Sequence, residues 1–367
     1  MLSKWETAFI LIMTIPIMGH VIILPLMLDV AGRDSWISVI ISLPAAIIFL
    51  YAIYKLRLKY PTLYINDLLK ELLGKWFGRL MTLLFIIYFL FLTIFSYAML
   101  IDFVKIGFLD TTPYFALMLW FFIFMIYAAL KGIKRIALTA GILALIALIT
   151  GHTLTLMDTP KKDWGELLPI LEFGMSPVIL GALILLSIWI ELIILLFLPI
   201  RDIKEKHYFK IWLFAIFIVA FTMNSTTTGV VMIFGLGQAT NFQYPAQELV
   251  RIVNLAFIDR FDIYGMILMT FGNYIRCSLF LRIAYEMTTH AKPSKWRKRI
   301  VFTLFSLIIF ICTYLIVIRH FRVEYAIDVY AYMIILYPIP FILLAIATFK
   351  QRKETSPSNQ RGRYGGI

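Results

Sequence analysis

Apolar residues along this chain do not alternate with polar ones. They gather into long runs separated by short polar stretches. Ten such runs lie at about 6–28, 36–54, 80–101, 113–130, 135–157, 177–199, 209–235, 263–286, 300–318 and 328–349. Each is near the roughly 20 residues that an α-helix needs to cross a bilayer. Period-two alternation, the mark of a membrane β-barrel, is absent. The pattern therefore predicts an all-α polytopic membrane protein with ten transmembrane helices in a single domain, residues 1–349. Ten spans divide into two fives, and five is odd, so the second half must cross the membrane in the opposite sense to the first. The expected architecture is a five-plus-five inverted repeat, with halves at about 1–157 and 158–349 and a site between the first helices of the two halves. Residues 350–367 are polar and rich in Ser, Gly and Arg, which predicts a disordered tail.

Composition supports this reading: 62% of residues are hydrophobic and 15% charged, with a mean hydropathy of +0.89. The net charge is +13, and its distribution sets an expected orientation. Lys55, Arg57, Lys59, Lys70, Lys75 and Arg79 fall on one side of the spans. Lys131, Lys134, Arg135, Arg201, Lys204, Lys206, Lys210, Lys292, Lys295, Arg297, Lys298, Arg299 and the tail residues fall on that side too. Fewer cations lie opposite, so both termini are expected in the cytoplasm. The basic charge then faces anionic inner-leaflet lipid and gives no reason to invoke nucleic acid. Residues 1–30 run too long for a signal-peptide core and lack a small-x-small cleavage site before Asp29, so they are read as a mature span. Two connecting segments carry patterns of their own. Residues 60–79 interleave Leu63, Leu68, Leu69, Leu72, Leu73 and Trp76 with charges, as an interfacial amphipathic helix does. The outer loop 240–262 places Leu249, Ile252, Val253 and Phe257 at helical spacing, as a lid or brace over the outer mouth would, although a plain connector fits as well.

Candidate chemistry lies where the spans depart from apolar regularity. Pro16 removes a backbone donor in the middle of the first run and Gly19 tolerates non-helical torsions, giving either an unwound site or a proline kink. His20, beside them, can bind a ligand, relay a proton or bond a neighbouring helix. In the sixth run Pro177 reads as a first-turn proline and Gly181 with Ala182 as a packing surface. Glu191 is an isolated acid at mid-span, which costs several kcal/mol unless it is protonated, hydrated or paired. Ser187 lies one turn earlier on the same face. In the eighth run Gly265, Met269, Gly272 and Arg276 share a stripe, with Asn273 beside it. Glu191 and Arg276 each lie about 21 Å from the outer end of their helices at ~1.5 Å per residue, so they are expected to pair or share a polar network. Ser96 and Tyr97 in the third run, and Asn224, Ser225 and the threonines 226–228 in the seventh, fit packing or local kinks; Tyr97 can instead line a cavity. Cys277 and Cys312 offer neither a disulfide framework nor a metal-ligand spacing, and no nucleotide loop, hydrolase triad or metal cluster is present. No enzyme activity and no cofactor are expected.

The chain resembles the B, or permease-like, subunit of the spore germinant receptors, within the amino acid, polyamine and organocation transporter superfamily. The resemblance runs to about Phe349. It rests on Tyr60-Pro61-Thr62-Leu63 followed by Gly74-Lys75, on Leu168-Pro169 to Pro177, on Glu191 to Pro199, and on Tyr244-Pro245 to Ile258-Asp259-Arg260-Phe261-Asp262. The family commonly has glutamate before that arginine, so Asp259 departs from it. The resemblance implies the five-plus-five fold, residence in the inner membrane of a spore, and recognition of a small germinant such as an amino acid with A and C partner subunits. It also implies a ligand between the first, third, sixth and eighth helices, here bringing in Gly19, His20, Tyr97, Ser187, Glu191 and Asn273. A proton-coupled amino acid transporter working through Glu191 is the alternative.

Overall fold

The computed structural model describes residues 1–253, 262–291, 293–319 and 333–355. The polar tail after residue 355, the 254–261 part of the outer loop with Phe257 and Asp259, and the start of the tenth predicted run lie outside them. The protein is an all-α polytopic membrane protein. Among the described residues seven helical stretches are long and apolar enough to cross a membrane.

The first stretch, Lys4–Lys59, contains two of the predicted runs. It opens with α1 (Lys4–Met18), whose start is fixed by a capping box: Ser3 Oγ accepts from the Glu6 amide while the Glu6 carboxylate accepts from the Ser3 amide. Pro16 denies α1 a donor near its end, and the next five residues, Gly19–Ile23, form a wider π-helical turn before α2 (Leu24–Ala31). Gly32, at φ 57°, ends α2 in a conformation that favours glycine. α3 (Ser35–Lys59) follows.

α4 (Ile65–Gly107) joins the expected interfacial helix to the third span, with a break at Gly74, φ 80°. Before the break Ile65, Leu68, Leu69 and Leu72 are buried, while Trp76 and Phe77 beyond it are exposed. α5 (Tyr114–Lys131) and α6 (Ile133–Met157) follow. α7 (Met175–Trp189) has Pro177 in its first turn and continues as a tighter 3-10 segment, Ile190–Leu196. Next come α8 (Tyr208–Ala239), the short α9 (Pro245–Arg251), α10 (Asp262–Thr288), α11 (Lys295–Ile318) and α12 (Ile339–Thr355).

α1 is buried along most of its length and packs on α8, α6 and α10, while α10 lies most extensively against α4. α5, α6 and α11 turn Trp120, Ile123, Ile142, Ile149, Leu307 and Ile311 outward, an apolar surface suited to lipid. The first and sixth spans run in opposite directions. At one end Leu2 pairs with the segment after the 3-10 turn, its amide donating to Pro199 O at 2.7 Å and its carbonyl accepting from the Arg201 amide at 2.9 Å.

The 3-10 segment and the turn after it leave carbonyls outside the α-helical ladder, and Arg57 of α3 donates to two of them. Its Nε donates to Leu195 O at 3.1 Å and its Nη2 to Leu198 O. Counting charges placed Arg57 among the loop cations; the fold buries it instead as a cap on the broken sixth span.

Candidate functional site

Where α1 gives way to the π-helical turn, it stands back from α6 and α8 and leaves a cavity of about 170 Å³. Pro16, Ile17 and His20 form one wall, Leu154, Thr155 and Asp158 a second, and Thr222, Ser225 and Thr226 a third. Met269 of α10 and Leu249 of α9 close the remaining sides.

The polar groups of this lining are oriented by their own helices. Thr226 Oγ1 lies 3.1 Å from Thr222 O and 3.0 Å from His20 Nε2. His20 is thereby held across the cavity by a hydrogen bond to Thr226. His152 Nδ1 lies 2.7 Å from Leu148 O, and because a carbonyl only accepts, this nitrogen carries the ring proton. Asp158, at the C-terminal end of α6, is 4% exposed, and its Oδ1 has no hydrogen-bond partner.

α9 covers the cavity and is tied to the end of α4. Tyr244 donates to Asp102 Oδ2 at 2.6 Å and Gln243 Nε2 donates to the same oxygen at 3.2 Å. Burial, and then the adjoining Asp102 carboxylate, push the Tyr244 phenol well above its ordinary value, so it stays a donor. Arg251 Nη2 donates to Gly107 O at 2.8 Å. Gly107 has no room for a side chain, because a Cβ there would stand 2.5 Å from Gln247 Nε2.

Deeper in the bundle Glu191, in the first turn of the 3-10 segment, meets Arg276 of α10 in a two-pronged ion pair, Nη1 to Oε2 and Nη2 to Oε1. Arg276 Nε also donates to Ser96 Oγ at 2.7 Å, and Nη1 to Thr14 O at 2.9 Å. Its guanidinium lies over the Phe280 ring, 4.8 Å from the centroid. Both charged side chains are essentially inaccessible. Two charges removed from water cost several kcal/mol each, and that cost is offset only where geometry is good and the remaining donors are satisfied. Here the fork of Arg276 joins the first, third, sixth and eighth predicted spans.

Of the residues singled out in the sequence, Pro16, His20, Ser225, Thr226, Gly265 and Met269 line the cavity. Glu191 and Arg276 are brought together beside Thr14 of α1. The other candidates pack behind these groups. Gly19 meets Met223 and Ile188, and a Cβ there would lie 2.8 Å from Met223 Cε. Tyr97 donates to Met118 O, Ser187 to Ile184 O at 2.6 Å, and Asn273 Nδ2 to Met269 O at 3.3 Å. The sequence reading passed over His152 and Asp158, and took Ser225 and Thr226 for packing residues. The signal was present, since His152, Thr155 and Asp158 recur every three residues on one face of an otherwise apolar run.

With this geometry in place, comparison with known proteins assigns the family. Residues 1–322 match the model of a family described as spore germination protein, and the chain belongs to that family. It is 28% identical to spore germination protein XB of Bacillus anthracis over 85% of this chain and 87% of that one. It is 23% identical to spore germination protein KB of Bacillus subtilis over 69% of each chain. These relatives are germination proteins by name, none of them named as an enzyme.

Proposed function

We propose that this chain is the permease-like B subunit of a germinant receptor. It resides in the inner membrane of the spore with both termini cytoplasmic, binds a small germinant, an amino acid, within the membrane domain, and signals germination through A and C partner subunits. The observation that supports this reading most is the cavity beside His20, set at the interruption of the first span in a chain of the spore germination family. A ten-span inverted repeat with halves at 1–157 and 158–349 belongs to the same proposal. Supporting it, the first and sixth spans run antiparallel, and each leaves α-helical geometry within its length, the first at Gly19–Ile23 and the sixth at Ile190–Leu196. His20 contacts the ligand. Gly19, Tyr97, Ser187 and Asn273 shape the helices behind it, and Glu191 with Arg276 couples the moving spans.

A proton-coupled amino acid transporter is the competing reading. The engagement of both Glu191 carboxylate oxygens by Arg276 favours a fixed ion pair over a proton carrier. The deciding experiment pairs two measurements on the full chain: co-purification with the products of neighbouring reading frames, and amino acid binding and uptake in proteoliposomes. Saturable binding without accumulation, together with stable association, is the expected result. Concentrative uptake by the isolated chain overturns the receptor reading.

A further inference from the structure

The cavity is rich in acceptors and poor in donors, and this determines what it can hold. Thr155 donates to Gly151 O at 3.1 Å, Thr222 to Ile218 O at 2.9 Å and Thr226 to Thr222 O at 3.1 Å. Ser225 points its hydroxyl at Thr155 Oγ1, 3.5 Å away. A hydroxyl has one proton, so each of these groups offers the cavity only lone pairs. In its neutral form His152 spends its ring proton on Leu148 O and keeps Nε2 as an acceptor. His20 Nε2 is engaged by Thr226, 3.0 Å away. Asp158 adds a buried carboxylate oxygen with no hydrogen-bond partner.

Among the described residues no lysine or arginine lines this cavity. Lys161 and Lys162 stand near Asp158 outside the lining, and each donates to a carbonyl oxygen, that of Ile252 and that of Thr155. A ligand carboxylate would therefore find no cation in the lining itself, whereas a ligand with several N–H donors and a positive charge would satisfy Asp158 and the surrounding oxygens. The rest of the wall, Ile17, Leu268 and Met269 among it, is apolar. The volume, about 170 Å³, is below the roughly 300–1,000 Å³ of sites for drug-sized ligands.

We propose that this cavity binds a small primary ammonium compound, its ammonium group at Asp158 and its hydrocarbon part along α1 and α10. The inference rests on the reading of the cavity as the ligand site, and goes further in naming the ammonium as the recognised group. An amino acid would bind here through its amine.

The test is binding to the purified full chain in detergent, followed by calorimetry, with isobutylamine, isobutyrate, isobutanol, valine and ammonium chloride as probes. Two variants accompany it. Asp158→Asn removes the charge. Gly151→Leu fills the cavity, since a Cβ at Gly151 meets nothing within 4 Å. We expect saturable binding of isobutylamine, at least as tight as valine, weakened tenfold or more by Asp158→Asn and abolished by Gly151→Leu, with no binding of isobutyrate or isobutanol. If Asp158→Asn does not fold, the probe ranking and Gly151→Leu alone decide the matter. Isobutyrate or isobutanol binding as tightly as the amine, and lost in Gly151→Leu, overturns the ammonium assignment but leaves the cavity as the ligand site. Ammonium chloride competing as well as isobutylamine overturns the organic part. Absence of binding by every probe, or binding indifferent to Gly151→Leu, overturns both.

Discussion

Arg276 of α10 grips both carboxylate oxygens of Glu191 in the 3-10 segment of the sixth span, and neither side chain reaches solvent. Removing one partner leaves the other charged and buried, which typically costs about 3–5 kcal/mol, whereas removing both can be nearly neutral. Glu191→Gln and Arg276→Met should each sharply lower the thermal midpoint of the purified protein, and the double variant should recover much of the loss. Equal midpoints for wild type and both single variants would show that the pair holds nothing together.

Ser96 supplies the acceptor for Arg276 Nε at 2.7 Å. Ser96→Ala leaves that charged donor unsatisfied in a dry interior, at a cost of about 1–3 kcal/mol. The loss should shrink in an Arg276→Met background, where no guanidinium needs the hydroxyl. A double-mutant cycle on thermal or denaturant stability measures the difference.

Much of this arrangement was legible in the sequence, for a definite reason. Bilayer thickness fixes helix length, so depth can be counted along a span, and the matching depths of Glu191 and Arg276 pointed to each other before any coordinates did. The break beside Glu191 was not legible. Residues 190–196 read IELIILL, with no proline or glycine to mark a change of helix type. What supports the tighter turn is Arg57, some 140 positions away, donating to Leu195 and Leu198. Arg57 itself looked like an ordinary loop cation because it sits near a span end, and Asp158, also at a span end, drew no notice. Hydropathy reports where a residue falls along the chain, and cannot tell which of the charges at a helix end turn inward.

That role for Arg57 can be tested. Arg57→Lys keeps the charge but not the planar fork that reaches two carbonyls, and Arg57→Met removes the donors altogether. We expect a graded loss, about 1 kcal/mol or more for lysine and about 2–3 kcal/mol for methionine, scaled by the greater worth of hydrogen bonds from charged donors. Hydrogen exchange should rise first in residues 190–200. A uniform increase across the helices would instead mean that Arg57 acts only through general packing.

Gly272 lets α10 lie close against α1. A Cβ there would stand 2.1 Å from Ile17 Cδ1 and 3.2 Å from Met13 O. The isoleucine tip can move, but the carbonyl belongs to a helix held by its own hydrogen bonds. Gly272→Ala should therefore cost about 1–3 kcal/mol, as overpacking of a well-filled interior generally does. Ile17→Ala frees the space that the new methyl group needs, so Ile17→Ala with Gly272→Ala should be more stable than the sum of the two single losses predicts. Strict additivity in detergent-solubilised protein would mean that α1 and α10 do not meet at this point.

The cover over the cavity hangs on Tyr244, whose phenol donates to Asp102 at 2.6 Å and whose ring packs edge-on against Phe103. Tyr244→Phe keeps the ring and deletes the donor, so it isolates the hydrogen bond from the packing. A hydrogen bond to a charged acceptor contributes about 1.5–3 kcal/mol. Losing it should raise exchange and protease cleavage within Pro245–Arg251 while the thermal midpoint moves little, because α9 is a short outer element and not part of the core. If α9 is the cover that governs entry to the cavity, the same variant should speed both association and dissociation of a cavity ligand and change its equilibrium affinity less than either rate. Unchanged rates in a variant whose α9 exchanges freely would separate the helix from the entry path.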